Sequence, residues 1–252
     1  MTTGCGACIV IFEYNLLDDR NMTTAFMIPA IGIATDALVG SLICVYADDV
    51  SARLAVPVII VGYFLLGMAI WLGLILYAIF FHRLMASGWP PGPQRPSLLI
   101  LAGPYGQTAS ASLNLGTAAM LKFGDYNKGS FLNATAGLSA SSFGVILALL
   151  LLGLDYFMII IALYGIVKGA IKRELTFSLL WWGTIFPLGT TCLALLTLSI
   201  DMDSPAFRVI CTGFFLLLLI AYFITWGFTI YHCVRGELLI KRPEEDSQEK
   251  SD

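Results

Sequence analysis

A chain of 252 residues that is 58% hydrophobic and only 12% charged is not a soluble globular domain, because only the hydrocarbon of a bilayer suits that composition. Its net charge of -3 is spread over short loops and an acidic tail, with no basic stripe, which excludes nucleic acid as a partner. Of the six cysteines, Cys44, Cys192 and Cys211 lie in apolar stretches as small hydrophobes, and the Cys5/Cys8 pair lacks both a second ligand pair and a redox-fold context, so neither a disulfide framework, a metal nor a cofactor is expected.

In chain order, residues 1–22 form an N-terminal segment. Its apolar patch, Ala7 to Phe12, is too short to span a bilayer and lacks the basic start of a secretory signal. Crossing about 30 Å of hydrocarbon takes roughly 20 mostly apolar residues in a helix. Stretches that meet this run from Thr24 to Ala47, Leu54 to Phe81, Ser97 to Leu121, Ala140 to Val167, Phe177 to Ile200 and Ala206 to Cys233. They are separated by Asp48-Asp49, the WPPGPQRP run from Trp89, GDYNKGS from Gly124, Lys172-Arg173-Glu174, and Asp201 to Pro205. The expectation is an all-α membrane protein of about six transmembrane helices, with a transmembrane domain over residues 23–234 and an acidic tail over 235–252 that is disordered from Arg242.

An even number of spans puts both termini on one side. That side carries ten Lys and Arg (Arg20, Arg83, Arg95, Lys168, Lys172, Arg173, Arg235, Lys241, Arg242 and Lys250), against four on the other (Arg53, Lys122, Lys128 and Arg208). Both termini are therefore expected in the cytoplasm. The sequon Asn133-Ala134-Thr135 then falls outside as a possible glycosylation site, whereas Asn21-Met22-Thr23 stays inside and bare.

Proline is unevenly distributed. Pro29, Pro104 and Pro187 fall within the first, third and fifth spans, where each is expected to kink its helix and free the carbonyl of Ala25, Ile100 or Gly183. Small residues follow the same alternation, with Gly103 and Gly106 in the third span and Gly183 in the fifth, so the odd spans read as inner and the even ones as outer. Small residues either line a pore or let helices pack closely; packing is favoured for Gly165 and Gly169, on an otherwise Leu- and Ile-rich helix. A pore without fixed charge closes on something bulky and apolar, and Phe186 beside Pro187 is the candidate, against the plainer reading of a lipid-facing or core aromatic. Asp36 and Asp155 are the ionisable residues deepest in spans. Asp155 reads as polar glue between helices, while Asp36 stands open between a proton or ion site and packing. His82 and His232 are isolated at the ends of spans, which argues against a membrane enzyme.

Three motifs carry a resemblance: GPYGQTASASLNLG after PPGP from Pro90, WWGTIFPLGT from Trp181, and DSPAFRV from Asp203. Together they resemble the tellurite-resistance and dicarboxylate transporter family, which includes fungal sulfite efflux pumps, fungal malate permeases and the plant slow anion channel, with GPYGQ and IFPLGT closest to the fungal branches. The resemblance implies a ten-helix bundle of five kinked inner and five outer helices around an anion pore, usually assembled as a homotrimer. It also implies that the phenylalanine before the proline of the ninth helix, here Phe186, occludes the pore. The six spans correspond to the last six helices of that bundle, and Asp36 stands where members usually have a small neutral residue. The function expected from the resemblance is sulfite efflux across the plasma membrane, with a malate (C4-dicarboxylate) permease as the alternative and a non-transporting fragment that assembles with a complete homologue as a third reading.

Overall fold

The computed structural model describes residues 23–48 and 50–236. The expectations for the N-terminal segment with Cys5, Cys8 and Asn21, and for the tail beyond Gly236, lie outside the described residues. Among the described residues the only regular structure is helix, joined by short turns and loops, with one isolated bridge between Lys128 and Leu132. Six α-helices follow in order: α1 Ile28–Tyr46, α2 Ala52–Ser87, α3 Gly103–Tyr126, α4 Ala134–Ile171, α5 Ile185–Asp201 and α6 Pro205–Val234. The predicted turns are where they were expected, and they have the backbone to match: Asn127, Arg173 and Asp203 all take left-handed conformations at helix ends. Asp203 then pairs with Arg208 at 2.6 Å across the start of α6, where Pro205 occupies the first turn.

The odd helices are built differently from the even ones. Each of α1, α3 and α5 is preceded by a 3-10 segment, Thr24–Met27, Gly92–Leu101 and Leu179–Thr184 respectively, and each carries its proline within the first three residues of the α-helix. This corrects the picture of proline kinking a continuous helix. Proline has no N–H to give the carbonyl four residues back, so that carbonyl falls in a tighter 3-10 turn; the oxygen of Ala25 accepts from the N–H of Ile28 instead.

Five of the helical segments are long and apolar enough to cross a membrane: Thr24–Tyr46, α2, α4, Leu179–Asp201 and α6. The third predicted span is the exception, and its polarity has a structural reason. Every residue of α3 from Gly103 to Gly116 is buried, because α1, α2, α4 and α5 pack around it. A helix that meets protein on all sides has no lipid to satisfy, so Thr, Ser, Asn and Gln are tolerated there once bonded. The α3–α4 contact is close enough to require glycine: a Cβ on Gly144 would lie 2.7 Å from the Ser112 carbonyl oxygen, and one on Gly137 would lie 2.7 Å from that of Ala119. At the other extreme, Thr225 is the one buried residue of α6, which packs along α5 and shows its apolar surface outward.

Candidate functional site: a three-helix constriction and its polar layer

Contacts step together along three helices, Ile31 and Phe186 meeting Gly103 while Thr35 meets Gln107 and Thr190 meets Gly106, so α1, α3 and α5 run in one sense and their 3-10 to α transitions lie at one level. There, a Cβ built on Gly103 would lie 3.3 Å from Cδ1 of Ile31 and 3.3 Å from the ring of Phe186. Gly103 thus leaves the space that the phenylalanine ring and the isoleucine occupy. Pro29, Pro104 and Pro187 are all buried beside this level, but Phe186 is 42% exposed within the chain, so its ring covers Gly103 on one side and is open on the other.

One turn further along each helix, about 5 Å on, the apolar triplet Ile31, Gly103 and Phe186 is replaced by the polar triplet Thr35, Gln107 and Thr190. Gln107 Nε2 donates to Thr35 Oγ1 at 3.2 Å, and Thr35 Oγ1 donates to the Ile31 carbonyl at 2.9 Å. Gln107 Oε1 is buried without a partner. Thr190 Oγ1 donates to the Pro187 carbonyl at 2.9 Å, and the Ser110 hydroxyl reaches the Thr190 carbonyl at 3.3 Å. An apolar narrowing backed by a ring of neutral donors and acceptors can exclude water at one level and solvate an ion at the next, without a fixed charge to trap it.

Other sequence-derived residues have different surroundings. The missing side chain of Gly106 is filled by Thr190 and Thr191, and that of Gly183 by Ile100, so close helix contact accounts for both. Gly165 makes room for Trp89 and Leu98, and Gly169 for Leu175 and Arg95, in keeping with the packing role expected of that pair. Asp36 does not join the constriction; its side chain lines a cavity of about 270 Å³ between α1 and α2 with Gly40, Pro57, Val58 and Val61. Asp155 is fully buried on α4, and Thr191 Oγ1 on α5 is 2.8 Å from its Oδ2, the interhelical bond expected of polar glue. Asn133 is the N-cap of α4: its Oδ1 accepts from Ala136 N at 2.9 Å and its Nδ2 donates to Ser130 O at 3.1 Å.

Sequence reasoning missed Ile31, Gln107 and Tyr77. Ile31 is two residues after Pro29 and Gln107 three after Pro104, and that nearness to the prolines was the signal for the first two. Tyr77, whose hydroxyl donates to the Leu101 carbonyl and whose ring stacks on Tyr105 at 4.7 Å, sits in a uniformly apolar run that marks nothing out.

The voltage-dependent anion channel family (SLAC1) matches residues 1–230. Sulfite efflux pump SSU1 of Arthroderma benhamiae and that of Trichophyton rubrum are each 26% identical to the chain over 220 residues, covering 87% of it and 56% of the relative. A putative malic acid transport protein of Schizosaccharomyces pombe is 24% identical over 249 residues, covering 95% of the chain and 56% of the relative. The chain thus spans about half the length of these relatives. No solved structure matches it.

Proposed function

The chain belongs to the voltage-dependent anion channel family, a multi-pass membrane transporter rather than an enzyme, and from that premise we propose that it conducts sulfite outward past the Phe186 constriction. The observation that carries this reading is the meeting of Phe186, Gly103 and Ile31 at the matching transitions of three parallel helices. Pro29, Pro104 and Pro187 set that level by stopping regular α-helix just before it. The neutral layer of Thr35, Gln107 and Thr190 takes over the hydration of an anion that has passed the ring, as rings of backbone and side-chain dipoles do in selectivity filters.

Sulfite is favoured over malate by the relatives' names and identities taken together, 26% against 24%, and a C4-dicarboxylate permease is the second reading. Homotrimeric assembly, the plasma membrane as location and cytoplasmic termini belong to the same proposal, supported by the resemblance and by the Lys and Arg asymmetry. So does completion of the pore by the helices that the longer relatives have in addition.

The test is anion current and labelled sulfite or malate flux, at matched surface expression, for Phe186→Ala and its parent, in this chain and in a version extended to the relatives' length. Widening an apolar constriction lowers its dewetting barrier, so current is expected to rise in the variant. Equal or lower current with a loss of stability would make Phe186 a packing residue. Flux of malate but not sulfite would select the second reading.

A further inference from the structure

Away from the constriction, at the end of the bundle where α2 and α4 finish, a cavity of about 630 Å³ is lined by Arg83, Ser87, Trp89, Arg95 and Glu174. Both arginines are buried, Arg83 to 4% and Arg95 to 7% exposure. Arg95 is well held: Nη2 lies 2.6 Å from Glu174 Oε2, and Nε donates to the Pro90 carbonyl at 3.1 Å. Its Nη1 is buried with no partner. Arg83 has less: one long bond, 3.3 Å from Nη1 to the Gly88 carbonyl, the Phe80 ring 6.0 Å from its guanidinium carbon, an Nε without a partner, and no carboxylate among the described residues. Glu174 also faces Lys172 at 4.0 Å. Among the described residues, the cavity thus has one carboxylate, paired with Arg95 and facing Lys172, beside two buried guanidiniums.

Burying a guanidinium without a counter-charge is costly, and an anion that also takes up the spare N–H donors relieves the cost most fully. The fork of a guanidinium suits the paired oxygens of a small oxyanion, whether carboxylate, sulfite or phosphate. The structure is shaped to hold these side chains in place. Glycine at 169 gives Arg95 its room, since a Cβ there would lie 3.0 Å from Arg95 Cδ, and glycine at 92 lets the Glu174 backbone approach where no side chain would fit.

We propose that this cavity is a second anion site, in which Arg83 and Arg95 together hold one small oxyanion. Arg95 lies near the start of the 3-10 segment Gly92–Leu101, which runs on toward Gly103, so the cavity lies on that side of the constriction. The same chemistry is offered by a free oxyanion and by a lipid phosphate headgroup.

The experiment uses the purified full chain in phosphatidylcholine nanodiscs, with thermal unfolding followed against sodium sulfite and sodium malate and with sodium chloride at matched ionic strength as the blank. Either oxyanion is expected to raise the midpoint saturably. Arg83→Gln is expected to keep the ligand-free midpoint or raise it, because it removes an unpaired buried charge, and to weaken oxyanion binding by about tenfold or more. Glu174→Gln removes the competing carboxylate and is expected to tighten binding, an effect of opposite sign that a general loss of fold does not mimic. In nanodiscs containing phosphatidic acid, a midpoint already raised without salt, and lowered again by Arg83→Gln, identifies the lipid phosphate as the occupant. No saturable rise with any of the three probes, or a rise that neither variant changes, would overturn the site. Because the readout is binding and not flux, that outcome leaves the transport proposal standing.

Discussion

At the scale of single residues, the two carboxylates deepest in the spans have different surroundings. Asp155 bridges α4 and α5 through Thr191, whose hydroxyl is also 2.9 Å from the Pro187 carbonyl and so has two acceptors for one proton. Asparagine at 155 keeps an oxygen for Thr191, so Asp155→Asn is expected to change stability by no more than about 1 kcal/mol, the usual size of an interhelical bond in a membrane. Asp155→Ala loses the bond and leaves a void between α4 and α5; its loss is expected to be about 2 kcal/mol or more. Unfolding in bicelles separates the two, and equal losses for both variants would refute the bridging role. Asp36 faces a cavity walled by α2 and not the constriction, so Asp36→Asn is expected to leave the pH profile of flux unchanged. A profile flattened by that substitution would instead make Asp36 a proton relay.

At the scale of helices, much was visible in the sequence because proline and glycine report directly on backbone geometry. The odd and even alternation could be read from Pro29, Pro104 and Pro187, although their form, a 3-10 segment giving way to α-helix, depends on how displaced carbonyls find new donors and cannot be read from proline alone. The third helix was expected where it lies, although it is not one of the five apolar enough to cross a membrane, and its burial on every side was not deducible: Ser110, Ser112 and Asn114 look alike whether they line water or bond to Thr190, Gly144 and the helix's own backbone. Gly103 and Gly106 were grouped as small residues of one kind, yet the first leaves room for Phe186 and the second for Thr190 and Thr191. Arg83 and Arg95 were legible only as loop charges, since nothing in a linear count of Lys and Arg says that a guanidinium is buried. A Cβ on Gly106 would lie 2.8 Å from Thr190 Oγ1 and 3.1 Å from the Thr191 amide nitrogen, a contact partly with backbone that a rotamer change cannot relieve. Gly106→Ala is therefore expected to cost about 1 to 3 kcal/mol by forcing α3 and α5 apart. Gly67→Ala and Gly213→Ala, where nothing lies within 4 Å, serve as controls and are expected to show no such loss. A Gly106→Ala protein as stable as these controls would mean that the α3–α5 contact is looser than described.

At the scale of the whole molecule, the orientation in the membrane rests on the distribution of Lys and Arg, and the structure supplies a cleaner way to test it than the sequon alone did. Removing the sequon by replacing Asn133 also removes the N-cap of α4, at a cost of about 1 kcal/mol, so a changed expression level could be mistaken for a changed glycoform. Thr135→Ala destroys the sequon and leaves the cap in place, because the one bond shown for Thr135 is through its carbonyl, which accepts from Ser139. If the α3–α4 turn is outside, glycosidase treatment is expected to speed the parent on a gel, and the Thr135→Ala protein is expected to run at the treated position from the start. Occupancy of a sequon varies with local access, so a second reporter is needed at the same turn. Ser130→Cys, in the short loop between Asn127 and Asn133, is expected to react with a membrane-impermeant thiol reagent on intact cells. Arg173→Cys, between α4 and the 3-10 segment before α5, is expected to react only after permeabilisation. The opposite pattern would invert the molecule. It would also place the Arg83 and Arg95 cavity on the outer face, where an oxyanion arriving from inside would meet it after the constriction and not before.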